Sequence, residues 1–151
     1  MLIDTKPFGQ IEVDPRQEIH FPRGLFGFDE YRDFLLLDAQ QAPFYWLQSK
    51  TERDIAFVLI SPFVFRPDYA PGVSREDLDA LEVESEKDES LLIFAIVTIP
   101  EDQSRMTANL QGPLLINRKL KAGRQVISSD ERWQVRHVIM EEMKAARNRA
   151  C

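Results

Sequence analysis

Cysteine is almost missing from this chain. The one residue, Cys151, is the last and cannot form an internal bridge, which fits a reducing cytoplasm. Histidine is nearly as scarce, and His20, His137 and Cys151 are too scattered to give metal-ligand spacing. The longest apolar run, residues 91–99, is too short to span a bilayer as a helix. The start, Met1-Leu-Ile-Asp-Thr-Lys-Pro, lacks the basic-then-apolar pattern of a secretion signal. A P-loop, a dinucleotide fingerprint and a nucleophile elbow are all absent. The expectation is a cytoplasmic protein with no membrane partner, no metal and no cofactor.

What is present is one domain's worth of ordinary globular sequence. A chain of 151 residues can bury roughly 70% of its unfolded surface without help from disulfides or metals. It is 44% hydrophobic and 29% charged, with a net charge of −6 that opposes binding nucleic acid by phosphate neutralisation. The charge is unevenly divided. Residues 1–50 carry a net −3, residues 51–104 a net −9 from 13 acids and 4 bases, and residues 105–151 a net +6. All ten phenylalanines fall between Phe8 and Phe94, and Trp133 is the one aromatic residue after them.

Strand signals dominate. Residues 2–4 and 8–13 flank a turn at Thr5-Lys6-Pro7, and Ile11 and Val13 alternate with Glu12 and Asp14 as in a half-buried strand. Further strands are expected at 18–21, 34–37, 44–48, 55–60, 106–110, 114–117 and 124–128, with 91–99 as the best central strand. The pair 114–117 and 124–128 reads as a hairpin whose loop closes through Gly123. Pro62 and Pro67 confine residues 63–65 to an edge or bend. Ser74 starts a short helix near 75–81 with Leu78 and Leu81 on one face. Val135, Val138, Ile139, Met143 and Ala146 recur at helical spacing, with acids early and Lys144, Arg147 and Arg149 late, which suits the helix dipole. The fold class is therefore mainly β: a small distorted antiparallel β-barrel-like domain over residues 1–134, with a C-terminal helical tail over 135–151. A monomer is the simplest expectation.

Several segments invite a chemical reading and each has a plainer one. Arg23-Gly-Leu-Phe-Gly-Phe-Asp-Glu-Tyr31 superficially resembles an RNA-recognition strand, but its Gly–aromatic spacing is interrupted and Asp29 and Glu30 would repel phosphate. It reads better as a tight turn in which Gly24 and Gly27 permit the bend while Phe21, Leu25 and Phe28 pin it to the core. Arg118-Lys-Leu-Lys-Ala-Gly-Arg124 is a short basic hairpin tip, either solvated or facing an acidic partner. The acidic run 82–89 is a solvated loop or a field that repels nucleic acid. Asp68 beside Tyr69 offers acid–base chemistry or a loop hydrogen bond.

Taken together, these residues resemble the flagellar assembly factor FliW family. The resemblance rests on an ordered set: Thr5-Lys-Pro-Phe-Gly9, Ile11-Glu12-Val13, and Ile19-His-Phe-Pro-Arg-Gly-Leu-Phe-Gly-Phe28. Ser61-Pro-Phe63, Pro67-Asp-Tyr69, Thr107-Ala-Asn-Leu-Gln-Gly-Pro-Leu-Leu-Ile-Asn117 and Gly123-Arg-Gln125 complete it. It covers about residues 1–130. It implies a distorted β-barrel-like domain that is not an enzyme. It also implies two competing protein partners, newly made flagellin and the RNA-binding translational regulator CsrA, with no direct nucleic acid contact. Flagellin export would free the factor to capture CsrA and relieve repression of flagellin translation. Because flagellin's terminal segments are amphipathic helices in the family picture, an apolar patch with a polar rim is expected. Phe63, Phe65 and Tyr69, with Asp68, are candidates for that patch or for plain packing. Asn109 and Asn117 are candidates for partner contact or for capping an irregular bend. Two other functions remain open: a small RNA-binding barrel using 118–124 and the basic tail, and a small hydrolase or isomerase using Asp68 and Tyr69.

Overall fold

The structure, a computed structural model, describes residues 1–150, with side chains described through Asn148; Cys151 and the side chain of Arg149 lie outside the described residues. Among the described residues there are eleven strands and two α-helices. The strands are β1 (Leu2–Thr5), β2 (Gly9–Glu12), β3 (Glu18–His20), β4 (Asp33–Asp38), β5 (Phe44–Ser49), β6 (Ala56–Ile60), β7 (Leu91–Thr98), β8 (Thr107–Ala108), β9 (Leu114–Asn117), β10 (Ala122–Gln125) and β11 (His137–Val138). The helices are α1 (Arg75–Ala80) and α2 (Ile139–Ala150).

β1 and β2 form a separate hairpin, and the remaining strands run in the order β11-β8-β7-β6-β5-β4-β3-β10-β9. β7 also pairs with β9, so seven strands from β3 to β10 close into a barrel, with β8 and β11 extending it outside the ring. The C-terminal half of β7 pairs with β8 while its N-terminal half pairs with β9, which is how one strand serves both. The expected mainly-β barrel is thus observed, with one addition. β10 meets β3 in parallel through the single pair Ala122 and His20, where the His20 N–H donates to the Lys121 carbonyl at 2.9 Å.

Alternation divides the side chains into an inner and an outer set. Ile19, Phe34, Leu47, Leu59, Phe94, Leu114 and Ile116 fill the barrel, and Phe21 and Leu25 from the glycine turn plug it. The outer face of β4 and β5 is covered by the β1–β2 hairpin, which packs Ile3 and Val13 on Leu35 and Leu37. The fully buried Gln48 fastens that hairpin: its Oε1 accepts from the Lys6 N–H at 2.9 Å and its Nε2 donates to the Arg53 carbonyl at 3.0 Å. The outer face of β7 and β9 is covered by residues 62–83 and 126–139, where Phe65, Tyr69, Leu78, Leu81 and Trp133 form a second core.

The turn at 23–28 is built as the glycine pattern predicts. Gly24 and Gly27 have φ of 64° and 83°, Phe21 and Leu25 are buried, and Phe28 is half-buried. Ser74 caps α1 by accepting from the Asp77 N–H, and Leu78 and Leu81 are buried beneath it.

Three local expectations need correction. The last hairpin does not close through Gly123. Gly123 sits within β10 opposite Ile116, and the turn is made by residues 118–121 with Lys121 at a φ of 57°. β8 covers only Thr107–Ala108, because Asn109 turns its side chain back onto Gln111 and Gly112. The C-terminal helix starts at Ile139, after β11 has paired with β8, so Val135 is an exposed loop residue.

Candidate protein-binding cleft

The structure brings Phe63, Asp68 and Tyr69 together and separates them from Asn109 and Asn117 in role. A short 3-10 turn over Pro62–Val64 leaves Phe63 and Val64 exposed and rolls Phe65 and Tyr69 inward. Phe65 is fully buried. The Tyr69 hydroxyl donates to the Leu110 carbonyl at 2.8 Å, and burial raises its pKa above the ordinary tyrosine value. Its ring packs edge-on against Phe63 at 6.1 Å and Trp133 at 4.8 Å. The Asp68 carboxylate accepts two hydrogen bonds from the Arg66 guanidinium at 2.9 Å each, and Arg66 also bonds Glu142 at 3.0 Å. Glu142 holds His137, whose Nδ1 lies 2.9 Å away while Nε2 accepts from the Gln134 N–H at 2.8 Å. Asp68 and Tyr69 therefore point to different partners and do not form an acid–base pair.

Both asparagines cap bends. Asn109 Oδ1 accepts from the Gln111 and Gly112 N–H groups at 3.1 and 2.9 Å. Asn117 is buried, accepts from the Lys119 and Leu120 N–H groups at 3.0 and 3.2 Å, and donates to the Leu81 carbonyl at 2.8 Å.

The basic turn 118–121 and the acidic run 82–89, distant in sequence, are neighbours. Arg118 donates from its backbone to the Ser90 carbonyl at 2.8 Å and from Nε to the Glu89 carbonyl at 3.0 Å. The Asp88 pKa is lowered chiefly by a backbone hydrogen bond from Ser90, with a smaller contribution from the charge of Lys119. Arg124 pairs with Asp77 at 2.6 Å in a mostly buried contact. Of the cations in the basic segment, Arg124 is ion-paired and Arg118 is held on backbone carbonyls at the edge of the acidic run.

At the other end of β7 the family-like motifs converge. The Phe26 N–H donates to Gln125 Oε1 at 2.8 Å, and Gln125 Nε2 donates to the Gly112 carbonyl at 2.9 Å. Gly112 is in turn held by Asn109. Three sequence motifs separated by up to 99 residues are thereby tied into one frame. A Cβ on Gly24 would fall 2.6 Å from the Asp29 Cα, so the turn that presents Phe26 closes tightly on itself. Phe26, Phe28, Phe57, Ile96, Thr98, Asn109, Gln125, Val135 and Arg136 line a cleft of about 340 Å³ at this barrel mouth. Phe26 and Gln125 also border an adjoining cleft with Arg23, Arg124 and Ile127. Phe26, Ile127 and Val135 are 55%, 65% and 52% exposed, a concentration of large apolar side chains that folding leaves in water.

Sequence alone marks none of these three as a contact residue. Phe26 had a usable signal: if Phe21, Leu25 and Phe28 pin the turn inward, Phe26 is left to face outward. Val135 had none, because it matched the helical spacing that begins in fact at Ile139. A separate groove of about 320 Å³ lies between the β1–β2 hairpin and residues 103–106, lined by Phe8, Phe44, Trp46, Val58, Ile99 and Met106 among others.

The family described as FliW protein matches residues 2–139. The flagellar assembly factor FliW of Treponema denticola is 45% identical over 146 residues, covering 97% of this chain and 98% of that protein. The corresponding factor of Leptospira biflexa is 46% identical over 144 residues, covering 94% and 93%. A crystal structure of the flagellar assembly factor FliW superposes with a TM-score of 0.84 at 32% identity, covering 92% of this chain and 96% of that one. With matches of this extent in sequence and fold, the chain belongs to the FliW family of flagellar assembly factors.

Proposed function

We propose that this chain acts by binding rather than catalysis. It captures newly made flagellin in the cytoplasm and, when flagellin has been exported, captures the translational regulator CsrA and relieves repression of flagellin translation. Family membership supports a role in flagellar assembly. The observation that carries a binding role is the exposed apolar cleft, held rigid where motifs from three parts of the chain meet. A rigid apolar centre with a polar rim is the arrangement that recognises an amphipathic segment at low entropic cost. The competing RNA reading loses support because Arg124 is ion-paired to Asp77 and the basic turn lies against the acidic run, whose charge opposes phosphate. The hydrolase reading loses it because the Tyr69 hydroxyl is spent on the Leu110 carbonyl.

Titration calorimetry of the purified protein with flagellin, and separately with CsrA, tests the proposal. A saturable complex with each, tighter than micromolar, is the expected result. No complex with either partner at tens of micromolar removes it.

A further inference from the structure

The two joined clefts at the barrel mouth have a charge opposite to that of the molecule. The protein carries a net −6. Yet the charged residues lining these clefts are Arg23, Asp77, Arg124 and Arg136. Asp77 and Arg124 neutralise each other at 2.6 Å. Arg23 and Arg136 make no ion pair among the described residues, so the lining is left cationic at both ends of an apolar centre. Arg23 lies beside Phe26 and Ile127, and Arg136 beside Phe26 and Val135.

We infer that the barrel-mouth cleft is the docking site for an apolar segment of a protein partner that carries carboxylates on either side of its apolar anchors, and that this segment belongs to flagellin. The inference rests on the proposed capture of flagellin and specifies its surface and its chemistry. Phe26 supplies the central contact. Its phenyl ring is exposed but its backbone is fixed to Gln125, so binding orders little that is not already ordered. Ile127 and Val135 extend the apolar contact to either side. Arg23 and Arg136 receive the flanking carboxylates as charge-assisted hydrogen bonds.

Calorimetric titration of purified flagellin into four proteins tests this: wild type, Phe26→Ala with Val135→Ala, Arg23→Glu with Arg136→Glu, and Ile99→Ser in the separate groove. All substituted side chains are exposed, and thermal melts verify that each variant is folded. The apolar double variant is expected to weaken binding at least 30-fold and the charge-reversed one at least tenfold. Ile99→Ser is expected to stay within twofold of wild type, and wild-type affinity to fall as salt rises. Unchanged affinity in the apolar double variant overturns the docking site while leaving flagellin capture standing. Tighter binding after charge reversal overturns the acidic character of the segment. No flagellin binding by wild type removes both the capture and this site.

Discussion

Replacing Trp133 by Ala is expected to destabilise the fold by about 3–5 kcal/mol, the range for emptying a large buried aromatic site. Against a domain stability of roughly 5–15 kcal/mol, that loss brings the protein close to unfolding. Trp133 is 1% exposed and joins three parts of the outer core. Its Nε1 donates to the Ala70 carbonyl at 2.9 Å, and its ring meets Tyr69 edge-on at 4.8 Å. The Arg66 and Arg132 guanidinium groups lie 4.6 and 5.0 Å from the ring centre. Removing the indole leaves a cavity beneath the 62–70 segment and takes away the surface on which Arg66 rests. Arg66 in turn holds Asp68 and Glu142, so the attachment of α2 should loosen as well. Trp133→Phe keeps a ring but loses the Nε1 hydrogen bond, and should cost about 1–2 kcal/mol. Urea unfolding of both variants checks the ordering. A loss below about 1 kcal/mol for Trp133→Ala would show that the outer core contributes little.

Gly123→Ala is the second substitution with a large expected effect, and its cause is space. A Cβ at this position would lie 2.4, 2.5 and 2.9 Å from the Cε2, Cζ and Cδ2 atoms of Phe21. Phe21 is fully buried and packs edge-on against Phe34 at 5.5 Å, so its ring has nowhere to move. The barrel seam depends on this contact, because β3 and β10 share only the pair Ala122 and His20. The expected cost is about 2–3 kcal/mol, as for overpacking a tight core. At 2–4 °C per kcal/mol for a domain of this size, the thermal midpoint should fall by roughly 5–10 °C. Phe21→Leu removes the obstructing ring atoms. The double variant should therefore lose less stability than the two single losses combined, because the sites are in contact. Additive losses would mean that the clash is relieved elsewhere.

Gly123 also illustrates what the sequence could convey. Its neighbours suggested a turn, since glycine near a basic tip between two strands usually closes one. The turn was instead made by Lys121, and the demand on Gly123 comes from Phe21, about a hundred positions earlier. Strands marked by local alternation or by apolar and β-branched runs were readable: β2, β4 to β7 and β9 lie close to where those signals put them. The barrel's closure was not, because a parallel contact of one residue pair leaves no local pattern. The same distinction applies to the cleft. Its motifs were recognisable one by one and in order, but the bond from Phe26 to Gln125 spans 99 residues and exists only in the folded chain. Phe63, Phe65 and Tyr69 lie close together in sequence, yet the proline-started turn sends Phe65 and Tyr69 inward and leaves Phe63 outside. Charge was legible as sums over segments. That the basic turn 118–121 lies against the acidic run required the pairing of β7 with β9.

The proposed function makes flagellin and CsrA alternative partners of one protein, and a displacement experiment tests that claim most directly. The complex with CsrA is formed first, flagellin is added in increasing amounts, and the species are resolved by size-exclusion chromatography with light scattering. Release of free CsrA in step with formation of the flagellin complex is expected. A complex containing all three proteins, or CsrA that stays bound at saturating flagellin, would contradict it.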